Sequence, residues 1–282
     1  MRKQLVKTVT DILEKDERVV LLLGDIGVHG FKEAFEKFPT RVYNIGILEQ
    51  ASVSLAAGLA SAGLIPIFHT IAPFMVERAF EQLKDDFGYQ KLGGNFISVG
   101  ASYDYAALGC THHCPGDVAL LKTIPGMRVL VPGHPSEFDF SFRRHYADGI
   151  PTYYRLSERS NAGPHGYVVK GGGRGTIIAI GPMLDPVIEA CKDLDVTIRY
   201  WVSAAPVGLV TESEFLPKRE AVVVVEPFYE GTMAHEFKDR RLLSIGVPRE
   251  FLRHYGTAAE HDKACGLTAP QIRIRIREFL GI

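Results

Sequence analysis

Seven short apolar runs, rich in β-branched residues, punctuate this chain at 19–23, 42–45, 96–99, 128–131, 176–180, 196–202 and 221–226. The first, Val19-Val20-Leu21-Leu22-Leu23, has no polar alternation at all. A strand with one wet face alternates apolar and polar residues. A strand covered on both faces, as in a parallel sheet, does not need to. Between the runs lie longer stretches with helical spacing, at 136–147, 183–194 and 75–91, the last carrying Val76, Ala79, Phe80 and Leu83. The alternation predicts an α/β fold: two layered α/β domains with mostly parallel sheets.

The segment SNAGPHGYVVKGGGRG, 160–175, holds six glycines and one proline in sixteen residues and predicts a domain boundary, with domains at 1–162 and 163–282. Its GGGRG piece lacks the Lys-Ser/Thr ending of a phosphate loop and no helix pattern follows, so it reads as a loop into the strand at 176–180. The tail TAPQIRIRIREFLGI alternates like a strand, but Thr268 suits a helix cap, Pro270 suits a first turn, and Ile272, Ile276 and Phe279 share one helical face. A closing helix is predicted there, with its arginines on a solvated face.

The charge balance, 32 basic against 33 acidic residues, gives no electrostatic case for nucleic acid or an anionic membrane. The charge-free run at 51–68 is about as long as a membrane span, but its serines, glycines and Pro66 predict a packed helix followed by a strand. Four cysteines at 110, 114, 191 and 265 do not make a disulfide framework, and the N-terminal MRKQLVKTVTDILEKDE lacks the apolar core of a signal peptide. A reducing, cytoplasmic setting is expected.

Two stretches carry candidate chemistry. In GCTHHCPGD, Cys110, His112, His113 and Cys114 resemble a zinc set. The cysteine spacing is workable, but the two histidines would have to point in opposed directions, and no second ligand pair exists. No metal ligand set is expected in this chain. In RVYNIGILEQASVSLAAGLASAGLIPIF, Glu49 opens a helix of mostly small residues. A carboxylate there is favoured by the helix dipole by roughly 0.3–1 kcal/mol, which is one complete reason for its presence. Its apolar neighbours suggest burial, which raises a carboxyl pKa. The small residues admit close approach of a backbone or another subunit.

Taken in order, the motifs resemble the pyrimidine-binding domain of transketolase-type thiamine-diphosphate enzymes, a group that includes deoxyxylulose phosphate synthase and the β chains of 2-oxo acid dehydrogenases. The matching residues are Arg41-x-x-Asn44-x-Gly46-Ile47-x-Glu49-Gln50, Ala56 to Ala60, Phe74-x-x-x-Arg78-Ala79-Phe80-Glu81-Gln82, Thr111-His112, and Ile124 to Met127 leading to Val131-Pro132. Val225-Glu226-Pro227 and Gly246-Val247-Pro248 are similar to the transketolase C-terminal domain.

The resemblance implies that Glu49, protonated, donates to N1′ of the cofactor's aminopyrimidine. That favours the imino tautomer, whose exocyclic nitrogen takes the proton from the thiazolium carbon. Ile47 and Phe74 would line the pyrimidine site, Phe74 by stacking, although a core aromatic at a helix start fits Phe74 too. Asp25 would line the cofactor cleft, or stabilise its turn. His112 would face the reacting carbon on the substrate side, with His113, in place of a family glutamine, behind it. Arg159, after a one-residue gap, matches a phosphate-binding arginine, or else forms a surface ion pair with Glu158 or another neighbour. The family aspartate that reads a sugar hydroxyl is Leu108 here, and a sugar-phosphate histidine is Gly100, while Tyr103 and Asp104 offer other substrate contacts.

Gly24-Asp25-Ile26-Gly27 only superficially resembles the Gly-Asp-Gly motif that holds Mg²⁺ and the diphosphate. The implied arrangement is a split enzyme. A separate α subunit would carry the Mg²⁺–thiamine diphosphate site, in an α2β2 heterotetramer that transfers a two-carbon ketol or related acyl unit to an aldehyde or ketone. The alternatives are the β subunit of a 2-oxo acid dehydrogenase, and a metal-binding or regulatory protein on the same scaffold.

Overall fold

The computed structural model describes residues 1–206, 221–237 and 239–282. It opens with helix α1 (Arg2–Lys15), whose Leu5, Val9, Ile12 and Leu13 form one buried stripe. Strand β1 (Val19–Leu23) follows, buried at every position. Next come α2 (Lys32–Lys37), β2 (Val42–Asn44), α3 (Glu49–Ser61), β3 (Ile65–Ile71), α4 (Ala72–Val76), α5 (Phe80–Gln82), β4 (Asn95–Val99), α6 (Asp117–Leu121), β5 (Arg128–Leu130), α7 (Pro135–His145) and β6 (Thr152–Arg155). The remaining elements are β7 (Val168–Lys170), β8 (Thr176–Ile180), α8 (Leu184–Ala190), β9 (Thr197–Trp201), β10 (Ser203–Ala205), β11 (Val222–Tyr229), β12 (Leu242–Val247), α9 (Ala258–Ala264) and α10 (Ala269–Leu280).

Among the described residues the strands form two sheets, ordered β10-β5-β6-β4-β3-β1-β2 and β12-β11-β8-β9-β7. Every pairing is parallel except β10 with β5 and β7 with β9. The expected layered α/β architecture with mostly parallel sheets is what the chain forms. β10 follows the glycine-rich segment in sequence yet pairs with the first sheet, through Ser203 opposite Leu130. The run at 51–68 is the end of α3 followed by β3, and no described helix is long and apolar enough to cross a membrane.

Three expectations change. The helix predicted at 75–91 is broken into α4, α5 and a π-helical turn at Leu83–Tyr89. Pro73 lies in the first turn of α4, and the helix stops after Val76, so the apolar spacing is met by segments rather than one rod. In α10, Thr268 holds the N-cap position, but its hydroxyl donates to Gln271 Oε1 at 2.6 Å instead of capping a backbone N–H. The α10 arginines are not simply solvated: Arg273 pairs with Asp193 at 2.9 Å and Arg275 with Glu230 at 3.0 Å.

In β11, Glu226 is fully buried and accepts hydrogen bonds from Gly231 N (2.7 Å), Met233 N (3.0 Å) and the Ser244 hydroxyl. Burial pushes its pKa up from 4.5 to about 7. The folded state therefore holds a proton that the unfolded chain releases, and stability falls as pH rises from about 4.5 to about 7. Glu226→Gln should remove a decline on the order of 2–3 kcal/mol across that window, read from urea unfolding at pH 5 and pH 8.

Candidate functional site

In parallel sheets ligands gather at the carboxyl ends of the strands. That edge of the first sheet is where this chain puts its polar residues. Asp25 follows β1 in a left-handed conformation (φ 61°). Asn44, ending β2, accepts from the Asp25 and Gly46 amides at 3.0 and 3.1 Å and donates to the Asp25 carboxylate at 3.1 Å. One side chain thus ties together two turns. The second leads into α3 past Ile47, which is 65% exposed despite its size.

Glu49 is the first residue of α3 and is 1% exposed. Arg78, from the break after α4, donates to its Oε2 at 2.9 Å. Its Oε1 is buried and has no hydrogen-bond partner among the described residues. Burial is as expected; purely apolar surroundings are not, because a guanidinium sits against the carboxylate. The same guanidinium lies 4.1 Å over the Phe74 ring. Phe74 meets the His112 ring edge-on at 5.3 Å, and Tyr105 meets His112 at 6.3 Å. Glu49, Arg78, Phe74, His112 and Tyr105 therefore form one continuous line of contacts.

His112 lies in a loop held at both ends. Arg155, fully buried at the end of β6, bonds Asp117 at 2.7 Å and Ser102 at 2.8 Å. Tyr153 donates to the same Asp117 oxygen at 2.9 Å. The Ser102 hydroxyl also reaches the Pro227 carbonyl, and Tyr229 N bonds Pro115 O at 2.9 Å, so β11 braces the loop from the second sheet.

Within the loop the two histidines diverge. His112 faces Phe74, with Nδ1 2.9 Å from Thr111 Oγ1. His113 is buried against His261 of α9 at 5.2 Å, and His261 stacks on His254 at 4.3 Å. Burial lowers the pKa values of His113 and His261. Tyr103 and Arg159 are brought together, but with each other and with α9. Tyr103 donates to Asp262 at 2.7 Å, Arg159 pairs with Asp262 at 2.7 Å, and the guanidinium lies 5.3 Å from the Tyr103 ring. Glu158 pairs instead with Arg2 at 3.0 Å. Asp104, which burial pushes up to about 6, accepts from Ser157 and from Glu158 N.

Cys110 is exposed, while Cys114 is buried with its thiol pushed well above its usual pKa by desolvation. Among the described residues no group of three or more His, Cys, Asp or Glu is arranged to hold a metal ion. A cavity of about 1020 Å³ opens beside the line of contacts, bounded by Asp25, Gly27, Phe31, His69, Tyr105 and Leu108. Arg2 stands at its margin, 5.5 Å over Tyr105.

Sequence reasoning gave no role to Arg78, Arg155, Asp117 or His69. A signal existed for two of them. Arg155 and His69 are polar residues within strands otherwise suited to burial, where a polar side chain needs a partner or a purpose.

The family model for the transketolase pyrimidine-binding domain matches residues 1–162. An uncharacterised 33.6 kDa protein of the fasciation locus of Rhodococcoides fascians is 42% identical over 97% of this chain and 93% of its own length. The 1-deoxy-D-xylulose-5-phosphate synthase of Acidovorax ebreus is 29% identical over 96% of this chain and 46% of its own, so this chain spans about half the length of that relative. A split-gene transketolase, solved as an inactive beta4 tetramer, superposes with a TM-score of 0.86 at 25% identity, over 99% of this chain and 98% of that one.

The Asp117–Arg155 pair gives a direct test of how the loop is held. Asp117→Ala leaves a buried guanidinium without its carboxylate and should cost about 3–5 kcal/mol in equilibrium unfolding. A loss below about 1 kcal/mol would show that the pair does not anchor the loop.

Proposed function

This chain belongs to the transketolase family, and on that premise we propose that it is the β, or C-terminal, subunit of a split transketolase-like enzyme. Residues 1–162 form its pyrimidine-binding domain and 163–282 its C-terminal domain. With an α subunit that holds Mg²⁺ and the diphosphate, in an α2β2 heterotetramer of the cytoplasm, it transfers a two-carbon ketol or related acyl unit to an aldehyde or ketone. The split-gene transketolase that is inactive as a beta4 tetramer supports the need for a partner, as does the half-length match to the synthase.

The observation that carries this reading is Glu49 Oε1: a buried carboxyl oxygen with no partner among the described residues, joined through Arg78 to an aromatic face and a histidine at the strand ends. The residues present fit a thiamine pyrimidine. Oε1 is free for a ring nitrogen, and the planar guanidinium over Phe74 marks a face that accepts a flat polar group. Bound thiamine diphosphate supplies the carbanion chemistry at its thiazolium carbon.

The chain's own residues do the rest. Glu49 would hold a proton at Oε1 for a pyrimidine nitrogen, while Arg78 fixes Oε2. Phe74 and Ile47 orient the ring, and Asp25 and Asn44 hold the turns around it. His112, backed by Thr111, moves a proton at the substrate oxygen or reacting carbon. Tyr103, His113 and Arg159 act on the substrate side through the loop they support from the domain seam.

The test is reconstitution with the partner subunit, Mg²⁺ and thiamine diphosphate. Glu49→Ala should lower turnover by at least about 100-fold while analytical ultracentrifugation shows the heteromer intact. Retained turnover in that variant would refute the assignment. Transfer to a free aldehyde without any lipoyl domain separates this activity from that of a 2-oxo acid dehydrogenase.

A further inference from the structure

Strand β3 reads Ile65-Pro66-Ile67-Phe68-His69-Thr70-Ile71 and is buried at all but its first residue. A histidine in its middle is the residue that burial alone does not explain. His69 Nδ1 lies 2.8 Å from the Ile97 carbonyl. A carbonyl only accepts, so Nδ1 carries the proton and Nε2 carries the lone pair. Burial, reinforced by the charge of Arg2, lowers the His69 pKa to about 4, which keeps the ring neutral.

No described residue bonds Nε2. The imidazole lines the 1020 Å³ cavity together with Tyr105, whose ring lies 6.3 Å from that of His112. The turn after β1 runs close over the ring: a Cβ at position 27 would come within 3.1 Å of Nε2, and Gly27, at φ +84°, has none. Phe31 lies edge-on to the ring at 6.5 Å, and Ile71 and Leu108 add apolar surface to a lining that also carries Arg2, Asp25, Lys32 and Glu36. The Tyr105 hydroxyl in the same wall is also buried and has no hydrogen-bond partner among the described residues.

A fixed, neutral, buried acceptor selects for a donor group on whatever fills that pocket, because a ligand without one leaves the lone pair desolvated and unmatched. We propose that His69 Nε2 accepts a hydrogen bond from a hydroxyl on the substrate's carbon chain, which makes His69 a specificity-determining residue for hydroxylated over plain 2-oxo donors. The inference rests on the proposed transferase activity and names the substrate class of that site. Leu108, in the same wall, has no polar atom that could do this work.

Hydroxypyruvate and pyruvate, which differ by one hydroxyl, are the probes. In the reconstituted enzyme, His69→Asn keeps an N–H for Ile97 O but places no acceptor at the Nε2 position. It should raise KM for hydroxypyruvate about tenfold or more, leave KM for pyruvate unchanged and preserve kcat. The second readout needs no partner and no turnover. In the full chain labelled with ¹⁵N-histidine, hydroxypyruvate should move the His69 Nε2 resonance in the direction of a hydrogen-bonded acceptor, and pyruvate should not. Equal responses to both probes, or none to either, overturn the proposal even if the variant does not fold. A reconstituted enzyme without turnover on any donor would count against the transferase reading, while the resonance would still decide the role of His69.

Discussion

The candidate site depends on one buried ion pair. Asp117 and Arg155 are each almost completely inaccessible, at 2.7 Å. Such a pair is not a source of net stability, since desolvating two charges offsets most of their attraction. It persists because its geometry is satisfied on every side: Tyr153 and Val118 N donate to Asp117, Arg155 also donates to Ser102, and the guanidinium lies 5.6 Å from the Phe228 ring. What the pair contributes is position. Ser102 and Asp117 stand at the two ends of the segment that carries His112, and both answer to one guanidinium on a central strand. The rigidity of the sheet thereby passes to a loop that has almost no regular structure of its own.

The same economy of charge appears along the cleft. Arg78 satisfies one oxygen of Glu49 and leaves the other bare. Arg2 is matched by Glu158, and Arg159 by Asp262. Among the described residues, Glu49 Oε1, His69 Nε2 and the Tyr105 hydroxyl are left without hydrogen-bond partners. Along this line the three arginines are already matched to carboxylates.

Most of the architecture was legible in the sequence because buried parallel strands write continuous apolar runs, and β1, β4, β8 and β11 lie on theirs. The strands without that signature were the hard ones. β6 ends in an arginine, β7 and β10 span three residues each, and β7 is a partly exposed edge. The helix at 75–91 was misread because i, i+3, i+4 spacing survives a break when each piece keeps its own apolar face. Glu49, Phe74 and His112 could be named from motifs, and the structure joins them in one line of contacts through Arg78. Their partners could not be named so. Arg78 faces Glu49 across 29 residues of sequence, and Asp262 lies 159 residues from Tyr103. Such long-range pairs leave no periodic trace. The divergence of His112 and His113 likewise follows from a loop geometry that spacing alone does not encode.

β10 has a consequence for how the chain can be divided. It belongs by sequence to the second half but completes the first sheet beside β5, in antiparallel register. A fragment ending at the glycine-rich segment would leave the amides and carbonyls of β5 open along a newly created border. Such a border invites pairing with other copies. β10 thus stitches the second half of this polypeptide to the first across the glycine-rich segment.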